Sequence, residues 1–415
     1  MKLTRLAALG VASALALTAC GGSDSDDTAS DTPPETMKLW LAGETDTPEE
    51  LVNWLESTYE ADHEGTDLEI QQIDWGELIP RLQTALSSED QTPDVFEVGN
   101  TQSPTFTAAG AFTDLSDKMD ELGDNIGPEG FLEAGAYEGA QYAVPYYWGS
   151  RYVFFSKKAF TDAGIEVPTT LEEFSTAAAA LKKQGNKDYS GFWRPGQDWR
   201  NGISWMFANG GDIATLDGDT WTGQLSSEGS VAGLEQWQAL GDTTTAPVDG
   251  LDSEAWVPFN NGEAAMFMAP SWARWSVEEK LADDLGALAL PGVDGDAAPV
   301  FAGGSNIGIS AKSPNQDEAF ELLQLIYSDE YQQMLAENGL GPANSDFTSA
   351  MGDDEFAQAA IAAASNAKLT PASPAWTDIE TSGLMEEFFG KIAAGGDVAA
   401  LAAEYDEKLE AALNG

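Results

Sequence analysis

The chain has 415 residues, of which 70 are acidic and 19 basic, for a formal net charge of −51, with one cysteine and one histidine. So acidic a surface repels nucleic acid and other polyanions, and the acids are spread along the whole chain, as on a surface selected for solubility. A lone cysteine excludes a disulfide framework or a Cys-ligated metal, and a lone histidine, His63, read as a solvated helix-end residue, leaves no His-based catalytic triad.

The N-terminus reads as a targeting segment. Lys2 and Arg5 precede an apolar stretch from Leu6 to Leu17 that is short for a membrane span. It ends Leu17-Thr18-Ala19-Cys20-Gly21, which resembles the bacterial lipobox, so residues 1–19 are expected to be a lipoprotein signal peptide and Cys20 the lipidated mature N-terminus. Gly, Ser, Asp, Thr and Pro without apolar periodicity make 20–36 a solvated, disordered tether. No later apolar run reaches spanning length, and the remainder is long enough for two domains of ordinary size.

Met37 to Ala42 is a short apolar run suited to a buried strand. Thr47-Pro48-Glu49-Glu50 reads as a helix start with Thr47 as N-cap and Glu50 closing a capping box. Leu68 to Ile73 is a second strand, followed by a helix that starts or kinks at Pro80, and Pro93 to Val98 is a third strand. Alternation at this spacing predicts parallel βαβ units, with ligand bound beyond the strands' carboxyl ends at Gly43-Glu44, Asp74-Trp75 and Gly99 to Gln102.

Tyr137 to Phe160 holds two strand-like runs separated by Pro145, three aromatics, Gly149 and Arg151. Proline cannot donate to a sheet ladder, so the expectation is an interrupted strand where the chain leaves one lobe and enters another. Small-residue breaks near Gly303-Gly304-Ser305 and Gly339 to Asn344 are second and third crossings. A capping box at Thr170 and Glu173 opens a further helix, a strand is expected at Ala264 to Met268, and the Ala-rich end from Asp354 is helical with breaks around Pro371 to Pro374 and Gly395-Gly396.

Several of these pieces recur in one order. They are Trp75 before an amphipathic helix, Pro93 to Asn100, Tyr142-Ala143-Val144-Pro145 and Ala163 to Phe174, then Phe259 to Met266, Gly303 to Ile309 and Gly339 to Pro342. From about Met37 to Gly415 the chain resembles family 1 extracellular solute-binding proteins, the carbohydrate receptors of bacterial ABC importers. It departs from many relatives at Ser156-Lys157-Lys158, where they carry an asparagine, and no role is transferred there.

The resemblance implies an α/β, two-lobed periplasmic-binding-protein fold of type II, with two parallel or mixed sheets flanked by helices and three inter-lobe crossings. The expected division is 37–145 plus 302–343 for lobe 1 and 146–301 plus 344–415 for lobe 2. It also implies a monomeric receptor outside the cell, held to the outer face of the cytoplasmic membrane only by its lipid. That receptor would close on an oligosaccharide and dock on the transmembrane subunits of an ABC permease. No cofactor, metal, nucleic acid or catalysis is expected.

Sugars offer flat C–H faces to aromatic rings and a rim of hydroxyls to planar polar groups. The foremost candidates are Trp75, Asn100, Trp148, Arg151, Trp272 and Ser305, followed by Glu44, Gln102, Tyr147, Trp193, Arg274, Asn306, Asn344 and Trp376. Trp40, Trp54 and Trp237 are assigned to core packing. Two alternatives stand beside the sugar receptor. One is a receptor for a polyamine or other cation, using Glu44, Asp74 and Glu97; the other is a secreted carbohydrate-active enzyme with paired carboxylates.

Overall fold

The computed structural model describes residues 33–89, 91–251 and 253–415. The signal segment, Cys20 and most of the tether lie outside the described residues. Pro34–Gly415 form one compact unit.

Strand β1 (Thr36–Ala42), helix α1 (Glu49–Asp62), strand β2 (Asp67–Ile73), helix α2 (Trp75–Ala85) and strand β3 (Val95–Gly99) follow the predicted order. β1 pairs in parallel with β2 (Met37↔Leu68) and with β3 (Leu39↔Val95), so it is the inner strand of the three. That position explains its apolar run, whereas β2 exposes alternate residues. Two apolar layers cover this sheet: Leu51, Leu55 and Tyr59 of α1 on one side, Leu78 and Leu82 of α2 on the other.

Two helix starts differ from expectation. The α1 N-cap is Pro48, whose carbonyl accepts the Leu51 and Val52 N–H groups. Thr47 instead turns inward, buried, with its hydroxyl 3.2 Å from that of Tyr146. Helix α2 begins at Trp75, because Asp74 caps it by accepting the Gly76 N–H at 2.8 Å, and Pro80 lies inside the helix.

The largest correction concerns Pro145. Val144–Ser156 is one unbroken 13-residue strand. It accommodates proline at an irregularity in its antiparallel pairing with the strand Ala302–Ile309: Tyr147 faces Ser305 and Pro145 faces Asn306, leaving Tyr146 as the extra residue. The Pro145 carbonyl is taken by the Tyr327 hydroxyl. Beyond Ser150 the long strand changes partners, pairing with Met266–Pro270 (Arg151↔Pro270) and Leu285–Leu288. It is a continuous strand, and it joins the two expected sheets into one curled, mixed sheet.

The strand Ala302–Ile309 is likewise continuous through Gly303 and Gly304. Gly341–Pro342 pairs with Trp148 and Tyr147, so the three segments expected as crossings lie side by side. Glycine is required there: a Cβ on Gly341 would meet the Trp148 indole at 1.9 Å, and Gly304 has φ +142° with the Tyr147 carbonyl 2.4 Å from its Cβ position.

The second lobe's core surrounds Phe154, Phe267, Trp205, Trp237, Phe388 and Tyr405. Trp40 and Trp237 are buried as expected, whereas Trp54 is half-buried, with its indole on Glu330 at 3.3 Å. Helices Glu355–Ala364, Trp376–Thr381, Leu384–Ala393 and Val398–Asn414 complete the chain. No helix among the described residues is long and apolar enough to cross a membrane.

Candidate ligand-binding cleft

A cleft of ≈ 830 Å³ opens beyond the carboxyl ends of β1 and β2. The first lobe contributes Gly43 to Asp46, Asp74 and Trp75; facing them are Glu254, Trp256, Trp272 and Trp275, with Asn338 to Leu340 from the third crossing. Trp75 is half-buried at the start of α2, and its indole N–H donates to Asp46 Oδ2 at 2.8 Å, which fixes the plane of the ring. Trp256 and Trp272 meet edge to face, with centroids 5.5 Å apart. Trp275 is 68% exposed, a large apolar face left open to a ligand.

The third predicted strand end is covered. Thr101 Oγ1 donates to Glu380 Oε2 at 3.0 Å, Gln102 Nε2 reaches the same oxygen at 3.5 Å, and Arg200 lies 3.6 Å from Oε1. Helix α3 (Ser103–Ala108) adds a bond from the Thr105 hydroxyl to the Pro374 carbonyl at 2.6 Å. Burial raises the Glu380 carboxyl above the usual range, opposed by Arg200 and the Thr101 hydroxyl. These contacts tie the end of β3 and α3 to residues 374–380, and none of the residues that make them lines the cleft.

Of the candidates, Glu44, Trp75 and Trp272 come together in the cleft. The others lie elsewhere, each with a structural partner or packing environment of its own. Asn100 Nδ2 donates to the Ala302 carbonyl at 2.9 Å, and Gln102 Oε1 accepts the Gly99 N–H at 3.1 Å. Tyr147 is buried against Tyr146. Trp148 Nε1 donates to the Pro342 carbonyl at 2.9 Å, and its ring borders a separate cavity of ≈ 480 Å³ shared with Phe131, Trp221 and Pro371. Arg151 donates to Asn201 Oδ1 at 3.1 Å inside the second lobe.

Trp193 sits beside Phe267, its backbone N–H on the Met266 carbonyl at 2.8 Å. Arg274 pairs with Asp354 at 2.9 Å and covers the Phe356 ring. Ser305 is buried, Asn306 donates to the Phe131 carbonyl at 2.7 Å, and Asn344 accepts the Asp346 N–H at 3.0 Å. Trp376 is fully buried against Trp199.

The carboxylates of the cation reading divide. Glu44 and Asp74 line the cleft together with Asp46 and Glu254, but Glu97 is fully buried behind it. One Glu97 oxygen accepts the Ala42 N–H at 2.8 Å, and burial pushes its carboxyl up to about 8. Burial also raises Asp46, partly offset by the Trp75 bond and reinforced by Asp74.

Sequence reasoning had not named Asp46, Glu254, Trp256 and Trp275 as contacts. For Trp275 a signal existed, since it follows Trp272 by three residues. Trp256 reaches the cleft only because its short helix packs on Trp272, which no local pattern shows.

A two-lobed fold with an aromatic cleft at the strand ends defines a solute-binding protein. Residues 54–364 match the model of the bacterial extracellular solute-binding protein family, and the chain belongs to that family. It is 33% identical over 395 residues to the diacetylchitobiose binding protein DasA of Streptomyces coelicolor, spanning 92% of this chain and 91% of that one. Its fold resembles the GacH receptor of Streptomyces glaucescens, a structure determined unliganded and with acarbose (TM-score 0.79, 22% identity, 91% of this chain and 98% of that chain). It also resembles the sugar-binding protein MalE of Xanthomonas citri (TM-score 0.78, 21% identity, 91% and 97%). These relatives are binding proteins.

Proposed function

We propose that this protein is the sugar receptor of a bacterial ABC importer, capturing an oligosaccharide of two or more units and delivering it to the permease. The observation that carries the reading is the set of tryptophans lining one cleft, Trp75 at the start of α2 and Trp256, Trp272 and Trp275 from the other lobe. Rings presented this way suit the C–H faces of successive sugars, while Thr45, Ser276 and Asn338 offer polar groups to the hydroxyl rim. The related diacetylchitobiose binding protein supports the same class of ligand.

In this reading the chain divides at the crossings, 37–145 plus 302–343 against 146–301 plus 344–415. The lobes swing about Tyr147 to Ser150 and the strand segments paired with them. The receptor acts outside the cell as a monomer tethered by a lipid on Cys20, and it binds without transforming its ligand. Calorimetric titration with di- and trisaccharides tests the proposal. Saturable heat in the nanomolar-to-micromolar range, with the sugar recovered intact, is the expected result; no heat with any glycan, or hydrolysis of a bound one, would overturn it.

A further inference from the structure

Trp75 is held at both edges of its ring. At one edge the indole N–H donates to Asp46 Oδ2 at 2.8 Å. At the other, Cζ3 lies over Gly99, 3.4 Å from where a Cβ would stand. The body of the ring packs on the apolar cluster that includes Ile73, Leu78 and Val98. Among the described residues, it is the one cleft-lining tryptophan whose indole N–H rests on a side chain.

Asp46 is itself placed by its neighbours. Its loop is anchored at the start by the Gly43 N–H on the Ile73 carbonyl, at 2.7 Å. At the far end the Gln72 amide donates to the Thr47 carbonyl at 2.7 Å, and the Thr47 side chain is buried at Tyr146. Both backbone anchors, Gln72 and Ile73, belong to the end of β2, which runs directly into Asp74 and Trp75. The acceptor is therefore fastened to the same segment that carries the ring it serves. Between the anchors Asp46 folds back over Gly43, where φ is +76° and a Cβ would stand 2.3 Å from Asp46 Cγ. A side chain at position 43 would push the carboxylate off the indole.

We propose that Asp46 is a positioning residue for ligand capture: it locks the Trp75 indole in the plane on which a sugar ring stacks, and it acts on the ligand through that ring rather than by touching it. The proposal rests on the sugar-receptor reading and adds a residue to it. Immobilising a free side chain on binding costs affinity, about threefold to tenfold for one ring. Trp75 is immobilised before the ligand arrives, and its N–H asks for no partner from the sugar. What the arrangement needs from Asp46 is an acceptor oxygen, not a charge.

The test is a double-mutant cycle, read by calorimetry on the purified full chain. Diacetylchitobiose, cellobiose and maltotriose are titrated first, and the one bound most tightly is the probe. Asp46→Ala should weaken its binding about threefold to tenfold. Asp46→Asn, whose amide oxygen accepts the same N–H, should recover most of that loss. Trp75→Phe keeps a ring and removes the donor, so in that background Asp46→Ala should cost no further affinity. Melting curves accompany every variant.

Equal losses from Asp46→Ala in the two backgrounds would overturn the inference, since a direct contact with the ligand or a general loosening of the loop acts with either ring. Unchanged binding in Asp46→Ala, or no recovery in Asp46→Asn, would overturn it as well, and all three results leave the sugar receptor standing. No heat from the unaltered chain with any of the three sugars would overturn the receptor reading and this inference with it.

Discussion

The Trp148 indole N–H donates to the Pro342 carbonyl at 2.9 Å, joining the first crossing to the third. The ring is 7% exposed, packs with Phe131 and Ala302, and lies where a Cβ on Gly341 would stand. Trp148→Ala should therefore lower the unfolding free energy by about 3–5 kcal/mol in a denaturant titration. Gly341→Ala should destabilise as well, through collision with the same ring. Loss of ligand binding with stability intact would instead return Trp148 to the role of ligand contact that its sequence setting suggests.

Trp272 stands in the opposite situation. It is half-buried, lines the cleft and touches Trp256 edge to face. Trp272→Ala should weaken sugar binding about tenfold or more, some 1.4 kcal/mol, while shifting the melting temperature by only a few degrees. Titration calorimetry and a thermal melt on the same preparation separate the two effects.

Glu380 gathers Thr101, Gln102 and Arg200 on one carboxylate. A hydrogen bond to a charged group contributes about 1.5–3 kcal/mol, enough to bias an open–closed equilibrium. Thr101→Val removes the hydroxyl while keeping the shape. It should increase the radius of gyration of the unliganded protein in small-angle X-ray scattering, and added ligand should reduce it again. An unchanged radius would show that this contact does not hold the lobes together.

The buried Glu97 carboxyl, pushed up to about 8 from an ordinary 4.5, holds its proton in the folded protein where the unfolded chain has lost it. Its contribution to stability is complete below about pH 4.5 and is lost as pH rises through about 8. Glu97→Gln keeps a neutral group in the same space, so the fall in melting temperature between those limits should be shallower in the variant. Parallel curves for the two proteins would mean that another group carries the alkaline loss.

Much of the first lobe was legible because its signals are local. A short, mostly apolar run, a proline near a helix start and alternating strands and helices need only near neighbours to be read. Thr47 and Asp74 show the limit. Both are N-cap residue types followed by helix, yet Asp74 caps α2 while Thr47 is drawn inward by the Tyr146 hydroxyl, nearly a hundred positions away in the chain. Pro145 misled for the same reason: the irregularity that admits it depends on Ser305 and Asn306 across the ladder.

By itself the sequence determined that strands and helices alternate from β1 to β3, and it marked the carboxyl ends of β1 and β2 and three small-residue segments as the places where a ligand site and chain crossings are expected. Backbone propensity and hydrophobic period carry such information within a few residues. Only the tertiary structure decided which polar and aromatic side chains remain free for a ligand. Asn100, Trp148, Arg151 and Asn306 look like a sugar site in a line of text, but each is occupied by a partner from a distant segment. Trp75, Trp272 and Glu44 keep their faces open because the packing around them leaves a cleft, and that vacancy is a property of the assembled surfaces.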